Sequence, residues 1–406
     1  MALLRQWRGF RRRCHRSLLS ALRSDTLASP GDAGSEHIHS SDRVQPWLGA
    51  LYGSIVASKR SREMAQAVRI SSPSVPVISV GNFTFGATGK TPCVMALTKI
   101  ALRHSRDRAS SRVPMLLTRG YGDDEWRLFK SAFPECKLAI GSDRVHVGTE
   151  KAREYGAKLL SCVVLDDGLQ QWRIRKDLEV VMVDALHPFG NGLLIPHGSL
   201  RERPRDALAR ADIVVIHHAN LLRSQQSLDA LKQALLLACT SAAGKPILAT
   251  SQMKVKRLVR ARDMRNADSN AEDADADASA NEELQGKVAL IVCGVGNPES
   301  VKLVVQAMGG WHQVEMDAFP DHHMFTNVDL QDMERLAAQM SATTQREVVV
   351  VTTEKDFFRA EQLMGELAQS CDLRVLQCEL ELIDNVQSVR DRVLEVLDRR
   401  GEGNGE

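Results

Sequence analysis

The chain has 406 residues, 43% of them apolar, 26% charged and only 4% aromatic. That is ordinary globular material, long enough for two or three domains. Eight cysteines stand at 14, 93, 136, 162, 239, 293, 371 and 378 with no C-x-x-C pair, which argues against a zinc cluster; several fall in apolar runs, as small core residues in a reducing compartment do. The formal charge of +2 hides an asymmetry, because residues 1–24 hold seven arginines and no acid, and without them the charge is −5.

That Arg-rich, acid-free start, with Ser and with Leu at helical intervals, resembles an organelle transit peptide. It is mitochondrial in character, with chloroplast as the alternative, and lacks the continuous apolar core of a secretory signal. A basic tail that binds a membrane or nucleic acid is the competing reading. Residues 25–43 are polar and read as a flexible join, so 1–43 form a leader. Val44 to Ser58 then runs 15 residues without a charge, with Leu48, Leu51, Tyr52, Ile55 and Val56 on one helical face beside Trp47, and Lys59, Arg60 and Arg62 behind. A bilayer span needs about 20 apolar residues. The segment is therefore expected either to lie in a membrane interface or to pack on its own domain.

The organising stretch is VPVISVGNFTFGATGKTP, 75–92. An apolar β-branched run, a loop carrying Gly81, Gly86 and Gly89, and a helical pattern behind Lys90-Thr91 form the context of a phosphate-binding loop. Backbone N–H groups of Thr84, Gly86, Ala87, Thr88, Gly89, Lys90 and Thr91 would hold phosphate, Lys90 would bridge the β- and γ-phosphates, and Thr91 would ligate Mg²⁺. The first glycine of the usual G-x-x-x-x-G-K-[ST] pattern is Thr84 here.

VPMLLT (113–118), CVVLD (162–166), LEVVMVD (178–184) and DIVVIHH (212–218) read as buried parallel strands separated by helices. The expected fold is α/β: a P-loop NTPase-like doubly wound parallel sheet over 44–250, with ligands at the carboxyl ends of its strands. KPILATSQMKVKRLVR (245–260) reads as a strand or ribbon leaving that domain, and 263–283 is an acidic low-complexity insert with eight acids and one Arg. Residues 251–285 are expected to be a hinge and insert, 286–390 a smaller second α/β domain, and 391–406 a polar tail.

Chemistry gathers at strand ends. Asp166-Asp167-Gly168 closes an apolar run, where P-loop enzymes place carboxylates near Mg²⁺; a helix cap accounts for one of the two acids but not comfortably both. LLTRGYGDDEW (116–126) offers Asp123, Asp124 and Glu125, a solvated turn or a carboxylate poised to take a proton from a hydroxyl. In GNGLLIPHGSLRERPRDAL (190–208), Glu202 is a candidate for the metal shell and Arg201 and His197 for phosphate, or the segment is a capping loop. FPDHHMF (319–325) offers a His hydrogen-bonded to a carboxylate as a general-base unit, and TTEKD (352–356) is a strand end or a helix cap.

VGNFTFGATGKTP, LTRGYG with DDE, LDDGLQ, DLEVVMVDALHPFGNGLLIPHGSLRE, FPDHHMF and VTTEKD, in this order over about 46–360, resemble the tetraacyldisaccharide 4'-kinase (lipid A 4'-kinase) family. Thr84 fits that family, which departs from the common glycine there. The resemblance implies a membrane-associated P-loop kinase of two α/β domains. It would transfer the γ-phosphate of ATP to the 4'-hydroxyl of a tetraacylated glucosamine disaccharide 1-phosphate. Carried over by motif, it implies Lys90 and Thr91 at phosphate and Mg²⁺, Asp166 and Asp167 near the metal, Glu202 as a further metal contact, and Asp124 with His322 activating the hydroxyl as the domains close. The implied partners are the acylated disaccharide and a membrane surface, not nucleic acid. Departures are Ala87 for a second Gly, Asp123 for Gly, Gln171 for His, and Arg203 inserted between Glu202 and Pro204. The alternative is a P-loop GTPase or ATPase acting as a switch or metal-insertion factor, but the chain lacks N-K-x-D. A non-catalytic scaffold is a third reading, opposed by the retained catalytic residue types.

Overall fold

Runs such as Leu178–Asp184 that are apolar on both faces are stable only inside a sheet covered on both sides, and the chain is built around such a sheet. A computed structural model describes residues 46–71, 75–120, 124–239, 244–264 and 283–399. The basic leader, most of the acidic insert, Asp123, the side chain of Asp124 and residues 400–406 lie outside the described residues.

Eleven strands form one sheet in the order β3-β2-β4-β1-β5-β6-β7-β11-β10-β8-β9. They are β1 (Val77–Gly81), β2 (Val113–Thr118), β3 (Lys137–Ile140), β4 (Leu160–Asp166), β5 (Leu178–Asp184), β6 (Ile213–His217), β7 (Ile247–Arg260), β8 (Val288–Cys293), β9 (Gln313–Ala318), β10 (Val348–Thr353) and β11 (Asp372–Leu382). Neighbours are parallel except β7 and β11, which run antiparallel. Two of these strands escape a reading of apolar runs. Both β3 (KLAI) and β9 (QVEMDA) are edge strands, half open to solvent, so their sequences need not be apolar on both sides.

The sheet is doubly wound. On one face Ile78, Val80, Val164 and Val180 pack against Cys93, Val94, Leu97 and Ala101 of the Lys90–Asp107 helix. On the other, Val181, Val183, Val214 and Ile216 meet Leu231 and Leu235 of the Gln225–Ala238 helix. In the second lobe Leu290 and Val292 face the Asn327–Thr344 helix through Leu330 and Met333, while Ala289 and Ile291 face Val304 and Val305.

The structure moves two expected boundaries. Residues 251–260, expected in a hinge, are the second part of β7: residues 247–251 pair with β6 of the first lobe, and 251–260 pair with β11 of the second. The lobes thus share one sheet through a 14-residue strand. Residues 391–398, expected at the start of a polar tail, belong to the Val386–Asp398 helix. Its Val389, Val393, Val396 and Leu397 are buried in the core around the Lys90–Asp107 helix. Arg390, Asp391, Arg392 and Glu395 occupy its other side, and that amphipathic mixture is what makes the segment look polar in sequence.

The order places β1 between β4 and β5, so the chain runs one way from β1 and then the other; β8 and β10 make the same reversal in the second lobe. Ligands of open α/β sheets bind at such reversals, outside the carboxyl ends of the strands.

The N-terminal Pro46–Ala65 helix divides the two alternatives left open by its sequence. Gly53 is buried against Leu194 and Arg203, and the Tyr52 hydroxyl donates to the Arg201 carbonyl at 2.9 Å. Trp47, Leu51 and Ile55 stay more than half exposed. No helix among the described residues is long and apolar enough to cross a membrane.

Candidate active site

Both reversals open into one cleft of about 670 Å³. The first lobe contributes Phe85 to Pro92, Asp166, Asp167 and Arg201, and the second contributes Gly296, Asn297, His322 and Lys355.

The phosphate loop leaves β1 and enters the Lys90–Asp107 helix through Gly89, which caps it at φ 81°. Only glycine adopts that conformation at low cost, and a Cβ there would sit 2.4 Å from the His217 ring. The loop is tied from inside and outside. Asn82 Nδ2 donates to Thr88 Oγ1 at 2.8 Å, and the Phe85 N–H donates to the Ser199 carbonyl at 2.7 Å. Ala87 is not among the residues of positive φ, so its methyl group strains nothing where a glycine was expected.

Lys90 Nζ lies 3.9 Å from Asp167 Oδ1. Burial pulls the Lys90 pKa down while Asp167 works against that shift. Asp167 is gripped by Arg201 Nη1, at 2.7 and 2.9 Å to its two oxygens. Burial opposes charge on Asp167, yet Lys90 and Arg201 outweigh it and hold the carboxyl below its usual range. Asp166 is the opposite case. It is buried, and among the described residues its Oδ2 accepts only a 3.3 Å bond from Thr118 and its Oδ1 has no partner. Burial first, then the neighbouring carboxylates Glu125 and Asp167, push its pKa up to about 8.

That orphaned Oδ1 is where a cation fits. No group of three His, Cys, Asp or Glu able to hold a metal occurs among the described residues. Mg²⁺ needs no such cage, since it takes one or two carboxylates and completes its shell with phosphate oxygens and water. Thr91 opens the helix beside the same cleft.

Glu202, expected in the metal shell, stands apart from the cleft and already has partners. It is 1% exposed, does not line the cleft, and is occupied by Arg210 Nη2 at 2.8 and 3.0 Å, Gln170 Nε2 at 3.0 Å and Arg60 Nη1 at 3.3 Å. The reason is local: the Arg inserted after Glu202 precedes a short Pro204–Leu208 helix, which brings Arg210 back onto the carboxylate. Glu202 thus ties the N-terminal helix to the loop under the phosphates. His197 likewise stays out of the cleft, whereas Arg201 lines it with its guanidinium 4.8 Å above the Phe85 ring.

The adjacent histidines of FPDHHMF separate. His322, at φ 60°, lines the cleft, and its N–H donates to the Gly294 carbonyl at 3.1 Å. His323 turns inward, with Nε2 3.0 Å from Asp329 and its ring against Phe319 and Phe325. TTEKD is a cap: Thr353 accepts from the Asp356 N–H, and buried Asp356 holds Arg359, which donates to the Gly294 carbonyl at 3.0 Å. Asp124 opens the Asp124–Ala132 helix, and the next residue, Glu125, lines the cleft 3.4 Å from Lys355 of the second lobe.

Three groups of residues in or beside the cleft went unrecognised in the sequence. Arg144 is 4% exposed, lines the cleft and feels both Asp167 and Asp166; it follows β3, a strand too short and polar to recognise. Gln170 stands in the quoted LDDGLQ and bridges the Asn82 carbonyl to Glu202. The histidines His217 and His218 end β6, and Asp184 ends β5 with the same strand-terminal acid signal as Asp166.

Residues 45–398 match the family described as Tetraacyldisaccharide-1-P 4'-kinase. The chain is 32% identical to an Arabidopsis thaliana protein named "Probable tetraacyldisaccharide 4'-kinase, mitochondrial", over 82% of this chain and 84% of that one. It is 30% identical to the tetraacyldisaccharide 4'-kinase of Halothermothrix orenii, over 82% and 88% respectively. Its fold is similar to a crystal structure of LpxK from Aquifex aeolicus in complex with ATP, with a TM-score of 0.54 at 20% identity, covering 86% of this chain and 97% of the other. With its phosphate loop, strand-end carboxylates and second-lobe histidine all opening into one cleft, the chain belongs to the tetraacyldisaccharide-1-P 4'-kinase family.

Proposed function

We propose that this chain transfers the γ-phosphate of ATP to the 4'-hydroxyl of a tetraacyldisaccharide 1-phosphate, with the two lobes dividing the work. The N–H groups of Gly86 to Thr91 and the Lys90 ammonium bind the phosphates and offset the charge that grows on the leaving β-phosphate. Thr91 and Asp166 would hold Mg²⁺, which would supply positive charge to offset that of the phosphates. Asp167, locked by Arg201, keeps Lys90 charged and aimed. His322 takes the proton of the attacking hydroxyl, with Asp124 as its acidic partner. The apolar end of the cleft, with Pro92, Met95, Val301 and Leu376, accepts the base.

The observation that carries this reading is that His322, from the second lobe, lines the same cleft as the phosphate loop and the orphaned Asp166 oxygen. In-line transfer requires that placement. The exposed Trp47, Leu51 and Ile55 fit a helix lying in a membrane interface, from which an acylated substrate reaches the cleft. The Arg-rich leader and the mitochondrial name of the Arabidopsis relative support a mitochondrial location.

The test is transfer of labelled phosphate from ATP to a tetraacyldisaccharide 1-phosphate in the presence of Mg²⁺, with Lys90→Ala, Asp124→Ala and His322→Ala alongside. Transfer by the parent and its loss in all three variants is the expected result. A parent that hydrolyses nucleotide yet phosphorylates no disaccharide would sink the proposal.

A further inference from the structure

Away from the phosphate chemistry, three buried polar residues join the lobes beside the cleft. Asp184 ends β5 in the first lobe, and Asn297 caps the Pro298–Met308 helix in the second. Asn297 Nδ2 donates to Asp184 Oδ2 at 3.1 Å, and His218 Nδ1 lies 2.9 Å from Asp184 Oδ1. All three are less than 9% exposed. The orientation of the Asn297 amide is fixed, because its Oδ1 accepts the Ser300 N–H at 3.2 Å and leaves only Nδ2 for Asp184. The other groups on Asp184, the Leu186 N–H at 3.3 Å and His187 Nδ1 at 3.6 Å, belong to its own lobe with His218, so Asn297 is the partner that ties this carboxylate to the second lobe, and its bond forms in one lobe arrangement.

The loop that ends in Asn297 reaches the chemistry. A Cβ on Gly296 would lie 2.9 Å from the Ala87 nitrogen and 2.9 Å from Asp321 Oδ2, so this backbone rests directly on the phosphate loop. Two residues earlier, the Gly294 carbonyl receives the His322 N–H. Moving Asn297 therefore moves both the cover of the phosphate loop and the support of His322.

The geometry points to Asp184, His218 and Asn297 as an inter-lobe latch, whose members are positioning residues that seat the 294–297 loop on the phosphate loop and set His322 for transfer. The inference rests on His322 acting in that transfer.

A polarity exchange in the full chain tests it. Asn297→Asp keeps the helix cap but faces one buried carboxylate with another, and should lower kcat about 30-fold, with a much smaller change in KM for ATP. Adding Asp184→Asn restores a bond of opposite direction, in which the introduced amide on β5 donates to the introduced carboxylate at the helix cap and still accepts from His218. The double variant should recover most of the lost kcat. Asn297→Ser retains a cap without the reach, and should lower kcat with a melting temperature near that of the parent. The latch is overturned if Asn297→Ser transfers phosphate at the parental rate. It is also overturned if the exchanged pair fails to fold, or folds without regaining transfer. His322→Ala, run in parallel, keeps the two readings apart: full activity there refutes the role of His322 rather than the latch.

Discussion

Glu202 offers the sharpest test of sequence motif against structure, because a metal ligand and an ion-pair hub fail in different ways. Replacing it with Gln keeps shape and removes charge. Arg210, 15% exposed at its side chain, then loses its partner carboxylate, while Arg60 keeps Asp206 at 3.2 Å. The new amide also turns an N–H toward one of the guanidinium groups. Removing one partner of a buried pair costs about 3–5 kcal/mol, and the partial exposure of Arg210 together with the fallback of Arg60 bring this to roughly 3 kcal/mol. At about 2 °C per kcal/mol for a chain of this size, melting should fall by about 6 °C. The assay pairs thermal melting with a Mg²⁺ titration of phosphate transfer. We expect the lower melting temperature with an unchanged Mg²⁺ midpoint in the folded fraction. An unchanged melting temperature with a Mg²⁺ midpoint raised tenfold or more would refute the hub and restore the metal role.

Other variants probe the loop, the buried acid and the C-terminal helix. Asp166→Asn should abolish transfer yet raise the melting temperature of the nucleotide-free protein at pH 8. An unfolded Asp ionises near pH 4, whereas the folded carboxyl holds its proton to about 8, so the parent loses stability as pH rises between those values and the variant does not. The gain should vanish near pH 4, and a gain independent of pH would contradict the assignment. Gly89→Ala must place a methyl group in the left-handed region and against His217, so ATP affinity should fall about tenfold or more in a binding titration. Val393→Asp puts an unpaired charge into the core under the Lys90–Asp107 helix, and soluble, helical protein should be lost. Soluble protein with parental melting would show that residues 391–398 are a tail after all.

Part of this protein is written in local patterns and is legible without a fold. The strands at 113–118 and 178–184 fall on their expected residues, because a strand buried on both faces must be apolar throughout. The phosphate loop is legible for a similar reason: its glycines and its Gly89-Lys90-Thr91 step are backbone requirements met within a few residues. Edge strands β3 and β9 were not legible, since half-exposed strands carry no such signal.

Which polar side chains meet was settled by the three-dimensional arrangement alone. Asp166 and Glu202 look alike as acids beside the cleft. One is left with an orphaned oxygen and the other is saturated by Arg210, Gln170 and Arg60, partners up to 142 positions away. His322 and His323 are neighbours in sequence, and only the backbone turn at His322 sends one to the cleft and the other to Asp329. The Asp184–Asn297 bond spans 113 positions and both lobes. Burial of apolar runs depends on composition and periodicity, which the chain states locally. A buried carboxylate's function depends on which donors the fold brings within about 3 Å, and no local pattern records that.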